Sequence, residues 1–266
     1  MEHASLMYGT LLSQLAVGTF VAGYALTRSG EERARLRPAI LAAFAAGVVG
    51  VLVFFTHLGV PTHAFNAIRN VGSSWLSREA LLYPAFMLLL ILCLLKGGKV
   101  LGALTALCGL ALALTTAMIY TLPGVPAWDT AATPISFLLA AFLMGIPLAA
   151  LLTKRGGRTC ALVLAAAALL ALVVTLTQTS TLRGGETAAA ASASLLTAAP
   201  AFRIRLGLLA VAAIASLVFA LRGAKAADAA TDGKPAATPV FLLLFCLLAV
   251  SEILGRALFF GTIVRM

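Results

Sequence analysis

Charge is scarce along this chain. Asp, Glu, Lys and Arg together make up 11% of 266 residues, and only 9 of these are acidic. A water-exposed surface carries roughly 25–35% charged residues, so a soluble globular domain is excluded. Histidine is rarer still, with 3 in all. Only His57 falls near the membrane core, which leaves no paired axial imidazoles on facing helices, and no haem is expected. The 4 cysteines, Cys93, Cys108, Cys160 and Cys246, sit inside apolar segments without CxxC or CxxCH spacing. Disulfides, zinc and iron–sulfur ligation are therefore unsupported, and the thiols read as small core side chains. A Walker loop, a dinucleotide fingerprint and an HExxH motif are also missing, so no soluble-type enzyme is embedded in the sequence.

What is abundant is apolar length. Hydrophobic residues account for 62% of the chain, and a helix needs about 20 of them in a row to cross a bilayer. Eight stretches meet that length, at about 5–27, 38–58, 80–96, 99–120, 131–153, 158–178, 203–222 and 239–260. The expected architecture is all-α: one transmembrane domain over residues 1–266, a multi-pass bundle of eight helices with a tight hairpin at Lys96-Gly97-Gly98-Lys99. The first segment lacks the basic flank of a secretory signal, because Met1–Ala4 carries Glu2 and the positive charges follow the segment instead.

The net charge of +10 would suggest nucleic acid in a soluble chain. Here the basic residues orient loops, and no nucleic-acid partner is expected. Arg28, Arg33, Arg35, Arg37, Lys96, Lys99, Lys154, Arg155, Arg158, Arg222, Lys225 and Lys234 crowd alternate connections. The opposite connections carry fewer basic residues over greater length. The positive-inside rule makes the first set cytoplasmic and puts both termini outside. The short basic loops are chemically bland, whereas His57, His63, Asn66, Arg69, Glu79, Tyr120, Trp128, Asp129, Glu252 and Arg256 fall on or near the outer face.

The polar run from 56 to 79 lies between two apolar segments and is the best place for chemistry. His57 closes one predicted helix, Gly59 and Pro61 stop it, and Glu79 opens the next. A neutral imidazole accepts a proton near physiological pH and a neighbouring carboxylate passes it to water, as oxidation of a quinol requires. The alternative is structural: His57 as a helix-end donor and Glu79 as a first-turn acid favoured by the helix dipole. Phe65, Ile68, Trp75 and Leu76 have loosely helical spacing, which predicts a short interfacial helix within 62–78. Trp75, Tyr83, Tyr120 and Trp128 read as interfacial anchors. Glu252 and Arg256, four apart, predict an ion pair on one helix face. Asp129 follows Leu122-Pro123-Gly124-Val125-Pro126 in a rigid outer loop, which suits either the lining of a mouth or contact with a partner, or plain turn chemistry; residues 184–200 read as a partly helical loop without chemistry, and 223–238 as a linker. No internal repeat is evident.

The stretch Thr56-His57-Leu58-Gly59-Val60-Pro61, with Ala64-Phe65-Asn66-Ala67 and Trp75-Leu76-Ser77-Arg78-Glu79, resembles the membrane anchor subunit of anaerobic dimethyl sulfoxide reductases, the DmsC family. Ile119-Tyr120-Thr121-Leu122-Pro123, Pro126-Ala127-Trp128, and Glu252-Ile253-Leu254-Gly255-Arg256 with Phe259-Phe260 are similar to further pieces of that family. The resemblance implies a subunit of the inner membrane that oxidises menaquinol and passes the electrons to an iron–sulfur partner and thence to a molybdopterin catalytic subunit. Terminal reduction would then occur in another chain. The resemblance assigns quinol oxidation to His57 and Glu79, and leaves Pro61, Asn66, Arg69, Arg78, Tyr120, Trp128, Glu252 and Arg256 as candidates for quinol binding or partner docking. Two other readings stay open: a passive anchor without a quinol site, and a small permease. The permease is disfavoured by spans that are nearly featureless at their centres.

Overall fold

A computed structural model describes residues 4–27, 32–56, 66, 68–227, 238–261 and 264. The spans are α1 (Ala4–Leu26), α2 (Arg33–Phe55), α3 (Trp75–Leu95), α4 (Lys99–Ile119), α5 (Ala132–Thr153), α6 (Arg158–Arg183), α8 (Pro200–Ala227) and α9 (Thr238–Gly261), with a shorter helix α7 (Thr187–Ala198) between α6 and α8. Eight of these helices are long and apolar enough to cross a membrane, and no strand occurs among the described residues. The chain is an all-helical, multi-pass membrane protein.

The helices form two rings. In the first, α1 packs on α2, α2 on α3, α3 on α4 and α4 on α1; in the second, α5 packs on α6, α6 on α8, α8 on α9 and α9 on α5. The neighbour order is therefore repeated in the two halves, and each half starts at the same end of the bundle. Sequence offers no hint of this, because the two rings are filled by different side chains. Phe20, Ile40, Phe86, Leu90 and Leu112 form the first core, and Leu143, Leu164, Leu209, Phe241, Leu244 and Leu248 form most of the second.

The rings join along α1 and α5, the two most enclosed spans. Small residues make the contact close. A Cβ on Gly18 would lie 1.8 Å from the carbonyl oxygen of Ala141, and one on Gly145 would lie 2.1 Å from the carbonyl carbon of Gly18. Backbone contact of this kind is how membrane helices gain dispersion energy where lipid offers no hydrophobic drive. The outer spans instead expose Leu, Ile and Val to the hydrocarbon, as Leu52, Leu88, Leu107, Val173 and Ile214 do.

One end of the bundle is tied by basic side chains. Glu32 bonds Arg155 and pairs with Arg35 at 3.0 Å, joining the α1–α2 and α5–α6 connections. Arg33 donates to the Leu94 carbonyl at 2.9 Å and caps α3. The predicted hairpin follows: Gly97 and Gly98 adopt φ of +70° and +108°, which only glycine accepts readily, so α4 begins at Lys99.

Several boundaries differ from those predicted. The third span starts at Trp75 because Ser74 is its N-cap and accepts a bond from the Ser77 amide at 3.3 Å. Trp75 and Leu76 thus form the first turn of a spanning helix; among the described residues before it there is a short 3-10 turn at Ile68–Asn70, and 62–65 and 67 of the expected interfacial helix lie outside the described residues. Glu79 is consequently one turn inside α3, not a first-turn acid. The 184–200 segment is partly helical, as expected, in α7. In the predicted 223–238 linker, α8 continues to Ala227 and 228–237 lie outside the described residues.

Candidate functional site

The chemistry gathers at the end of the bundle opposite the basic connections. Glu79 stands on α3 about 6 Å, at 1.5 Å per residue, from the helix start. Its partly buried carboxylate accepts a hydrogen bond from the Thr116 hydroxyl of α4 at 2.5 Å. Among the described residues no cation pairs with it. Tyr83, one turn further along α3, donates its hydroxyl to the Gly47 carbonyl of α2 at 2.9 Å, so α2, α3 and α4 converge here.

Arg78 next to Glu79 is occupied by its own loop. Its guanidinium donates to the carbonyls of Val71 at 2.9 Å and Gly72 at 2.7 Å and stacks over Trp75 at 4.2 Å. It shapes the approach to α3. Asn66 and Arg69 are exposed nearby, while His57, Pro61 and His63 lie outside the described residues.

Tyr120 caps α4 one turn beyond Thr116. With Trp128, Phe137, Phe259 and Phe260 it makes a buried aromatic cluster in which the Tyr120 and Trp128 rings meet edge to face at 5.5 Å. Trp128 stacks on Phe259 at 4.7 Å and donates its indole N–H to the Phe259 carbonyl at 2.9 Å. Tyr83, Tyr120 and Trp128 are therefore not interfacial anchors, because each polar tip or ring finds its partner inside the bundle; Trp75, half-exposed, alone suits that role.

The cluster leads to α9. Arg256, 5% exposed, lies over the Phe137 ring at 3.6 Å and donates to the side-chain amide oxygen of Gln14 on α1 at 2.7 Å. Glu252, equally buried, lies 3.7 Å from Arg205 of α8, which in turn donates to Thr175 at 3.0 Å. The expected Glu252–Arg256 pair is thus replaced by two longer-range partnerships. Helical spacing puts both on one face, but Arg256 turns toward α1 and α5, and Glu252 toward α8. Tyr120, one turn beyond the Thr116 that bonds Glu79, packs at 5.4 Å on Phe137, the ring against which Arg256 lies, so the two polar groups share one end of the bundle.

Thr116, Gln14, Arg205 and Thr175 escape sequence reasoning. Thr116 is one of many span threonines and carries no signal. Gln14 does: an amide in the middle of an apolar helix needs a partner, and it corrects the impression of featureless span centres. Arg205 falls within the predicted 203–222 span, but no sequence spacing links it to Glu252; it lies five residues inside α8. The cysteines remain unpaired, Cys93 and Cys160 buried and Cys246 exposed on a span, and among the described residues no three His, Cys, Asp or Glu side chains gather as metal ligands would.

Over 155 residues the sequence is 31% identical to the C subunit of the anaerobic dimethyl sulfoxide reductase of Haemophilus influenzae, covering 54% of this chain and 56% of that protein. Over 157 residues it is 27% identical to the YnfH subunit of an anaerobic dimethyl sulfoxide reductase of Escherichia coli, covering 54% and 55%. These alignments span about half the length of either relative. The sequence profile of the DMSO reductase anchor subunit (DmsC) matches residues 1–262, nearly end to end. The chain belongs to the DmsC family of DMSO reductase anchor subunits.

Proposed function

We propose that this chain, in the inner membrane with both termini outside, oxidises menaquinol at the Glu79 end of the bundle and delivers the electrons to an iron–sulfur partner, which feeds a molybdopterin subunit. The observation that carries the reading is the Glu79 carboxyl group. It sits within a membrane span with a neutral hydroxyl as its only hydrogen-bond partner among the described residues. Intramembrane carboxyl groups without a counter-ion are costly and mark proton or ligand paths. α3 is also among the spans most open to lipid, so a lipid-soluble substrate reaches Glu79 from the side.

Menaquinol gives up two protons and two electrons to become menaquinone. His57, which follows the last turn of α2, accepts a proton from the quinol hydroxyl, and Glu79 conveys protons to the aqueous phase at the same end. The electrons pass to the partner's cluster. Release of protons on the side where electrons leave stores no membrane potential in this step. Asn66 and Arg69, both exposed, serve as contacts for the partner.

The test is His57→Gln in the assembled complex, with turnover driven either by a menaquinol analogue or by a soluble dye that reduces the partners directly. Quinol-driven turnover is expected to fall about 10²-fold or more, with dye-driven turnover unchanged. Retention of quinol-driven turnover would remove His57 from the reaction, and parallel loss of both would point to an anchoring role.

A further inference from the structure

We propose that a chamber in the second ring, between α5, α6, α8 and α9 and roofed by α7, binds a small monovalent anion between Arg205 and Arg256. The chamber is a cavity of about 70 Å³ whose polar lining includes Arg205, Glu252, Arg256, Gln178 and Ser192 beside the Trp128 ring. It does not include Glu79, and the inference stands apart from quinol oxidation.

The lining is charged and unbalanced. Two arginines, which stay protonated at any physiological pH, line the chamber with one carboxylate; Arg205 lies 3.7 Å from Glu252, and Arg256 is held by the uncharged Gln14 and Phe137 side chains. Even with Glu252 ionised, one positive charge is left over in a poorly solvated interior, where an uncompensated ion is expensive. A monovalent anion neutralises it; a divalent one would overshoot and meet Glu252.

Hydrogen bonding points the same way. Buried polar groups are nearly always partnered, yet the Nε of Arg205, the Nε of Arg256 and the Ser192 hydroxyl have no hydrogen-bond partner among the described residues. Against these donors stands one orphan acceptor, Oε1 of Glu252. Donors in excess call for an acceptor, and water accompanying the anion satisfies the carboxylate. Size sets the limit. At roughly 10–15 Å³ per water, the cavity holds an ion such as chloride with a few waters and excludes a bicyclic quinol ring. Gly255 makes the geometry possible, because a Cβ there would lie 2.4 Å from Nε of Arg205.

The repeated ring order adds a reason. α8 and α9 occupy in the second ring the places that α3 and α4 hold in the first, so each ring carries a polar pair across its third and fourth helices, Glu79 with Thr116 in one and Arg205 with Glu252 in the other. One half offers a carboxylate to a hydroxyl donor, and the other offers guanidinium groups to an anion.

The full chain in nanodiscs of zwitterionic lipid tests this by thermal unfolding at constant ionic strength, exchanging sodium gluconate for sodium chloride. The midpoint is expected to rise and saturate with chloride. The rise should vanish in Arg205→Gln and in Gly255→Ala, and in Glu252→Gln its half-saturating concentration should fall at least about tenfold, as one like charge a few ångströms away is removed. The chloride-35 NMR line in the presence of the wild-type protein, which needs no variant, should be broadened and should sharpen again when nitrate is added. Equal midpoints in the two salts, a chloride effect that survives Arg205→Gln, or an unbroadened chloride line would each overturn the assignment.

Discussion

Glu79→Gln is expected to lower menaquinol-driven turnover of the assembled complex by about 10²–10⁴-fold, the range contributed by a positioned acid–base group. The substitution is nearly isosteric. The amide oxygen of glutamine still accepts from Thr116, whose hydroxyl lies 2.5 Å from the carboxylate in the native chain, so α3 and α4 stay joined and the loop held by Arg78 is undisturbed. What is lost is the capacity to take up and release a proton. Dye-driven turnover should therefore match the wild type, and the complex should assemble in normal amounts. Quinol-driven turnover within twofold of wild type would leave Glu79 with a structural role only. Thr116→Val is expected to give a smaller loss, because it frees the carboxylate without removing it.

The second large effect is on the fold. Gly18→Ala places a methyl group where the Ala141 carbonyl oxygen would be only 1.8 Å away. Neither partner can yield, since both are helix backbone on the two most enclosed spans, and α1 and α5 must separate along the seam that joins the rings. Overpacking of this sort costs roughly 1–3 kcal/mol, and the upper end is expected because no flexible side chain absorbs the clash. The control is Gly207→Ala on α8, where an added Cβ meets nothing within 4 Å; it should be neutral or stabilise by up to about 1 kcal/mol through helix propensity. Unfolding in graded dodecyl sulfate reads both, and equal stability of the two variants would contradict backbone contact between α1 and α5.

The spans were legible because a bilayer imposes one length on every helix, and hydropathy alone locates eight of them. The end that holds Glu79, Tyr120, Trp128 and Arg256 was legible too, since polar side chains in apolar surroundings stand out. Their partners were not. Thr116 is 37 positions from Glu79, and Gln14 is 242 from Arg256, so each pairing exists only once the rings close. The i,i+4 rule brought Glu252 and Arg256 to one face but could not say that Arg205 and Gln14 compete for them. Trp128 read as an anchor because aromatics at span ends usually face the interface; here the stack on Phe259 and the bond to its carbonyl draw the ring inward. Ser74 as the cap that lengthens α3 was hidden by the polar, aromatic composition of the turn it starts.

The most direct measurement is photolabelling of the assembled complex in native-like membranes with an azido-menaquinone analogue, followed by peptide mapping. Labelling concentrated at the start of α3 and the end of α4, around Glu79 and Thr116, and suppressed by excess unlabelled quinone is the expected result. Label at the Lys96–Lys99 hairpin end, or label that unlabelled quinone does not displace, would contradict quinol oxidation at the Glu79 end.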